Sequence, residues 1–167
     1  MRKLAIIIFA FGALNLSYGQ SAKIDFSGEW QLDKARSEGL PPGADQTLSV
    51  KQTADRLEVK FRLSGGPGGD QTVDDIYVVN GEETDFKPPM TGGGTAQSAK
   101  RTSKWAAEGK GFDVSEQAKV DGPNGPNTIK ATRTWRLSED GKTLTIEMAI
   151  DNSAGQANKS KRVFTKK

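Results

Sequence analysis

Four stretches of this chain alternate apolar and polar residues almost without a break, and that rhythm limits the fold more than any other feature. Leu57, Val59, Phe61 and Leu63 interleave with Glu58, Lys60 and Arg62. Phe112, Val114, Glu116, Ala118 and Val120 interleave with Asp113, Ser115, Gln117 and Lys119. Ile129 to Leu137 and Leu144 to Ile150 repeat the pattern. A period of two places successive side chains on opposite faces of a strand, one buried and one solvated. No window shows a helical period with caps. The chain reads as all-β.

Ten strands are expected, at 27–33, 46–52, 56–63, 72–79, 82–87, 97–106, 111–120, 128–138, 142–151 and 159–166. Asn80-Gly81 is a two-residue hairpin signal, and Ser138-Glu139-Asp140-Gly141 suits a four-residue turn. The odd-numbered connections are long: Lys34 to Asp45, the Gly65 to Gly69 loop, Pro88 to Thr95, Asp121 to Asn127 and Asn152 to Asn158. The even-numbered ones are tight. In an up-and-down meander alternate connections lie at opposite ends, so one end carries tight turns and the other long, Gly- and Pro-rich loops. Such a pattern suits a ligand barrel with a closed floor and an adaptable mouth, and equally a barrel whose one rim tolerates insertions. A two-sheet sandwich shares the strand rhythm, but sequential hairpins without long crossovers favour an antiparallel up-and-down barrel of about 8–10 strands. Lys, Arg, Thr and Glu crowd the outward positions, unlike the lipid-facing strands of an outer-membrane barrel.

The first residues read as an export signal. Arg2 and Lys3 precede an apolar run from Leu4 to Leu14, and Ser17 and Gly19 suit a signal-peptidase site. The run is far shorter than the roughly twenty residues that span a bilayer. The expected organisation is a signal peptide at 1–19 and one β-barrel domain at 20–167, acting in the periplasm or outside the cell. Without Arg2 and Lys3 the 24 basic residues fall to 22 against 21 acidic ones, so the mature chain is nearly neutral. No basic stripe suits nucleic acid, and no membrane span is expected.

The chain has no cysteine and no histidine. Stability must then come from a core and not from disulfides. Thiol catalysis, thiolate metal sites, histidine-based triads, imidazole acid–base chemistry and proximal-histidine haem are all excluded. Carboxylate pairs, Ser-Lys dyads, tyrosine and oxygen-ligated metals are the enzymatic routes left. Asp70, Asp74 and Asp75, or Asp121, Asn124 and Asn127, lack the spacing of a calcium loop. The glycine runs lack a phosphate-loop lysine, and Ser103-Lys104 is a lone dipeptide. No metal and no cofactor is expected.

The segment Asp25-Phe26-Ser27-Gly28-Glu29-Trp30-Gln31-Leu32-Asp33 resembles the Gly-x-Trp opening of the lipocalin and fatty-acid-binding (calycin) barrels. In detail it is similar to small exported bacterial lipocalin-like proteins of unassigned function. The stretch Lys34 to Asp45, with Pro41-Pro42-Gly43, is too short and broken for the helix-turn-helix lid of the fatty-acid binders. The resemblance implies that an arginine of the last strand packs over Trp30, and Arg162 is the residue that could match. A rival placement has Arg162 facing the cavity, since it shares strand parity with Phe164.

Two charges fall in apolar registers: Glu116 between Val114 and Ala118, and Arg133 between Ala131 and Trp135. Facing inward, they would have to pair, because an unpaired buried charge is costly. The pair is either structural or part of a site for a polar head group, with Trp135, Phe112, Val114 and Met148 as apolar walls. Trp105, Tyr77 and Arg101 are further candidates on strands of less clear parity.

The reading that follows is an exported, non-catalytic protein holding a small apolar or amphipathic ligand in a barrel cavity, with Arg133 and Arg162 orienting an anionic group. The alternative is an envelope interaction module, filled by its own side chains, whose long loops bind protein or polysaccharide. An enzyme using Glu116 with Asp113 or Asp75 ranks last, since those two partners are expected to face solvent.

Overall fold

The structure is a computed structural model and describes residues 24–66, 69–88, 96–107, 109–122, 125–152, 155 and 157–167. Ten strands form one antiparallel sheet: β1 (Gly28–Leu32), β2 (Asp45–Thr53), β3 (Arg56–Ser64), β4 (Gln71–Val78), β5 (Glu83–Asp85), β6 (Ala96–Trp105), β7 (Gly111–Gly122), β8 (Gly125–Leu137), β9 (Thr143–Asn152) and β10 (Ala157–Lys166). All ten expected strands are present, with ends shifted by a few residues. A single 3-10 turn at Lys34–Arg36 follows β1, its Asp33 cap accepting from the backbone N–H of Arg36. No helix-turn-helix lid is built between β1 and β2.

The order across the sheet is β4-β3-β2-β1-β10-β9-β8-β7-β6-β5. First and last strands therefore pair, Trp30 opposite Lys166 and Leu32 opposite Phe164. The sheet curls into a half-barrel that brings β4 against β6, and no ladder joins β4 to β5. The Asn80-Gly81 hairpin expected from sequence is thus not formed. A type I′ turn needs positive φ at both central residues, yet Gly81 has it and Asn80 does not. Asn80 instead accepts from the N–H of Glu82, and the N–H of Gly81 donates to Ser103 O on β6. These bonds turn the chain away from β4.

The seventh connection is also shorter than expected. β7 and β8 stay paired out to Gly122 opposite Gly125, leaving only 123–124 between them, residues outside those described. The ninth shortens too, to 153–156 between β9 and β10, while the first, third and fifth connections remain long.

Alternation decides what lies inside. Trp30, Leu48, Leu57, Tyr77, Phe112, Trp135, Leu144 and Phe164 are fully buried at the tight-turn end. The segment before β1 closes that end. Phe26 is buried edge-on to Phe112 at 5.4 Å and to Trp135 at 6.1 Å between ring centroids. Its carbonyl accepts from Trp30 Nε1 at 3.0 Å, and its N–H donates to Gln52 Oε1 at 3.0 Å. Gln52 Nε2 in turn donates to Ile24 O at 2.8 Å. Gly111 opens β7 where a Cβ would stand 1.9 Å from Trp135 O, so only glycine lets these strands approach.

Deleting the plug should expose its cost directly. Phe26→Ala is expected to destabilise the fold by about 3–5 kcal/mol, read as a fall in the midpoint of a urea unfolding curve.

Candidate functional site

Four charged side chains occupy the inward face, where the alternation of β4, β6, β7 and β8 sends them. Arg101 stands directly opposite Glu116 on the β6–β7 pair. Its Nε donates to Glu116 Oε1 at 2.8 Å. Its Nη1 and Nη2 reach across the unpaired seam to Asp75 on β4, at 2.7 and 2.9 Å, and Nη1 also donates to Ile76 O at 2.9 Å. The other carboxylate oxygen of Glu116 takes the Arg133 guanidinium. Arg101 is 2% exposed and Glu116 8%, so charges paired this closely act with little solvent screening. Two cations and two anions cancel.

Ring faces complete the surroundings of Arg101, whose guanidinium lies 4.4 Å from the Tyr77 ring and 4.2 Å from Phe86. Desolvation pulls the pKa of this guanidinium down, but the bonds and charge of Asp75 and the charge of Glu116 outweigh it and leave it raised. Arg133 is likewise depressed by burial and raised on balance, by Tyr77 and by the carboxylate of Glu116. Burial pushes the Tyr77 phenol far above its ordinary range.

Above this network the interior stays open as a cavity of about 340 Å³. Toward its mouth it is lined by Gln46, Leu63, Gln71, Ile150 and Ser160, residues near the first, third and ninth connections. Phe61, Val73, Ile146, Met148 and Phe164 give it apolar walls. Arg133, Trp135, Ser160 and Arg162 bring polar groups to it. Three of these carry buried atoms without a hydrogen-bond partner, Arg133 Nη1, Trp135 Nε1 and Ser160 Oγ, the first of them ion-paired with Glu116.

The residues singled out from sequence are distributed unequally. Arg133, Trp135, Met148 and Arg162 line the cavity together. Glu116 stands behind Arg133 as its counter-ion. Phe112 is not a wall: it lies beneath Trp135, stacked at 5.0 Å, in the filled end. Of the two placements open for Arg162, the structure has it at the cavity and not over Trp30. Trp30 is opposite Lys166, four residues further along β10, and Lys166 Nζ lies 5.3 Å from its ring. Gly28 lies beside that lysine in a backbone conformation, φ +136°, that favours glycine. Arg162 instead donates to Glu38 O, and at 3.1 Å to Gly39 O. It thereby ties the chain after the 3-10 turn to β10, where Glu38 bridges Lys161. Burial lowers its pKa.

Asp75 was expected in solvent and is found inside. The signal lies in Val73-x-Asp75-x-Tyr77, an inward register disguised by Ile76, which is 46% exposed on the outer face. Asp113, the other carboxylate considered, does face outward and pairs with Arg136 at 2.7 Å. Among the described residues no group of three or more acidic side chains is arranged to hold a metal ion.

No protein-family signature and no curated protein sequence matches the chain. Among solved structures it is similar to the crystal structure of zebrafish ileal bile acid-binding protein complexed with cholic acid. The two share 16% identity at a TM-score of 0.50, over 85% of this chain and 98% of that one. The fold is calycin-like. Resemblance at this level of identity concerns the fold alone.

Two expectations follow. Arg101→Met should cost about 3–5 kcal/mol, because it leaves Asp75 and Glu116 buried with too little positive charge; thermal and urea unfolding would measure the loss. Tyr77 gives a pH dependence. Its folded pKa is raised above the unfolded value near 10, so its stabilising contribution is complete below that pH. As pH rises further, the unfolded chain releases a proton that the folded one keeps, and stability falls by up to about 1.4 kcal/mol per pH unit. Tyr77→Phe should flatten that alkaline slope in unfolding curves taken between pH 9 and 11.

Proposed function

We propose that this chain is an exported, non-catalytic binding protein that takes a small apolar or amphipathic molecule through its long-loop end. The observation that carries the reading is the cavity: about 340 Å³, lined by Phe61, Val73, Ile146, Met148 and Phe164, with Arg133, Trp135 and Ser160 bringing polar groups to it. Ligand pockets of about 300–1,000 Å³ are built in this way, mostly apolar with a few placed polar groups. Each 100 Å² of apolar ligand surface buried there would contribute about 2.5 kcal/mol before the costs of association. The amphipathic cholic acid held by the structurally similar zebrafish protein supports the same ligand class. The leader at 1–19 supports export, and the absence of histidine and cysteine supports a binding role over catalysis.

One feature favours a second reading. The tight-turn half of the barrel is filled by Phe26, Trp30, Tyr77, Phe112 and Trp135, as an interaction module with a solid interior would be. Such a module would present its long loops to protein or polysaccharide.

Native mass spectrometry of protein purified from its own cell envelope separates the two. A reproducible additional mass that denaturation removes is the expected result. A bare mass in every preparation, with no thermal shift from lipids and apolar acids, would leave the interaction module standing.

A further inference from the structure

The charges around the cavity do not cancel. Arg133 pairs with Glu116, and Arg101 behind it pairs with Glu116 and Asp75. Arg162 lines the same cavity, yet among the described residues its partners are carbonyls only. Its Nη1 donates to Glu38 O and, at 3.3 Å, to Lys161 O, and its Nη2 donates to Gly39 O at 3.1 Å. Three arginines thus meet two carboxylates in this interior, and the unmatched charge is that of Arg162. Burial depresses the pKa of all three. At Arg101 and Arg133 the neighbouring carboxylates and Tyr77 outweigh it, but at Arg162 nothing does and the pKa falls.

Arg162 also keeps donors that the fold does not use. The carbonyls take both hydrogens of Nη1 and one of Nη2, which leaves Nε–H and the second hydrogen of Nη2. The residue is half-buried, and Nε is not one of the buried atoms that lack a partner, so solvent reaches it. A carboxylate takes two guanidinium donors at once and supplies the missing charge. The Glu38 and Gly39 carbonyls hold the guanidinium in place beforehand, which lowers the ordering cost of binding. Ile146, opposite Arg162 on β9, and Phe164, two residues along on the same face of β10, are apolar walls ready for a hydrocarbon tail. Arg133 offers none of this, because its charge is already taken by Glu116.

We infer that the cavity takes a carboxylate-bearing amphiphile whose headgroup is bound by Arg162 through Nε and Nη2, and that Arg133, neutralised by Glu116, is not its partner. The inference rests on the cavity reading proposed above and adds to it the charge of the ligand and the residue that reads it. A neutral amphiphile would leave the Arg162 charge unpaired and desolvated.

The test compares sodium octanoate with 1-octanol at pH 7, by calorimetric titration and by the arginine Nε–H region of a ¹H–¹⁵N correlation spectrum. Arg162→Lys and Arg133→Lys assign the two resonances by their loss. The wild-type protein should bind octanoate about tenfold tighter than octanol or more. The Arg162 Nε–H should move downfield with octanoate while that of Arg133 stays in place. Arg162→Met should abolish the preference for the carboxylate. Octanol bound as tightly as octanoate, or octanoate bound with the Arg162 Nε–H unmoved, would overturn the inference while keeping the cavity as a ligand site. If neither compound binds, the ligand-binding reading itself falls, and this inference with it. The wild-type titration decides even if a variant fails to fold.

Discussion

A curled sheet that does not pair its fourth and fifth strands has a seam, and something other than a backbone ladder must hold that seam shut. Here Arg101 does so. It sits on β6, grips both oxygens of Asp75 and the carbonyl of Ile76 on β4, and keeps its remaining bond for Glu116 on β7. Burying a guanidinium is expensive, and the expense is met by two carboxylates, a carbonyl and two ring faces. The geometry suits arginine and not lysine, because only a planar fork satisfies partners on both sides of the seam at once. Through Glu116 the same clasp positions Arg133 at the cavity. The wall of the site and the closure of the barrel are therefore one network.

The barrel divides along its axis. At the tight-turn end the aromatic rings of Phe26, Tyr77, Phe112 and Trp135 meet at centroid distances of 5.0 to 6.1 Å, and the upper faces of Tyr77 and Trp135 form the cavity floor. Toward the other end Gln46, Leu63, Gln71 and Ser160 line the cavity that remains. The segment Ser37 to Gly39 is laid along β10 by the Glu38–Lys161 bridge and by Arg162, in the connection between β1 and β2.

Much of this was legible in the residues alone. Period-two alternation determines strand identity and inward face, because side-chain direction in a strand follows from backbone geometry and needs no tertiary information. It correctly turned Glu116 and Arg133 inward on neighbouring strands, and the cost of a buried charge then required them to pair. It did not reveal Asp75, since the apolar Ile76 beside it points outward and blurs the alternation of β4. Nor did it distinguish Phe112 from Trp135: both face inward, and only their height in the barrel separates core from cavity wall.

What tertiary structure alone decided were distances between strands remote in sequence. The Asn80-Gly81 pair carries the local chemistry of a hairpin, but the N–H of Gly81 is claimed by Ser103 and the strands part. Arg162 could have matched the cation over Trp30, but the register of β10 against β1 places Lys166 there instead. A shift of four residues along a strand leaves the inward face unchanged, so alternation is blind to it. The sequence by itself determined an all-β chain, its inward faces and the charges that had to meet inside. The closure of the seam, the register of the last strand and the open half of the interior were decided by packing, because each depends on where non-local strands come to rest.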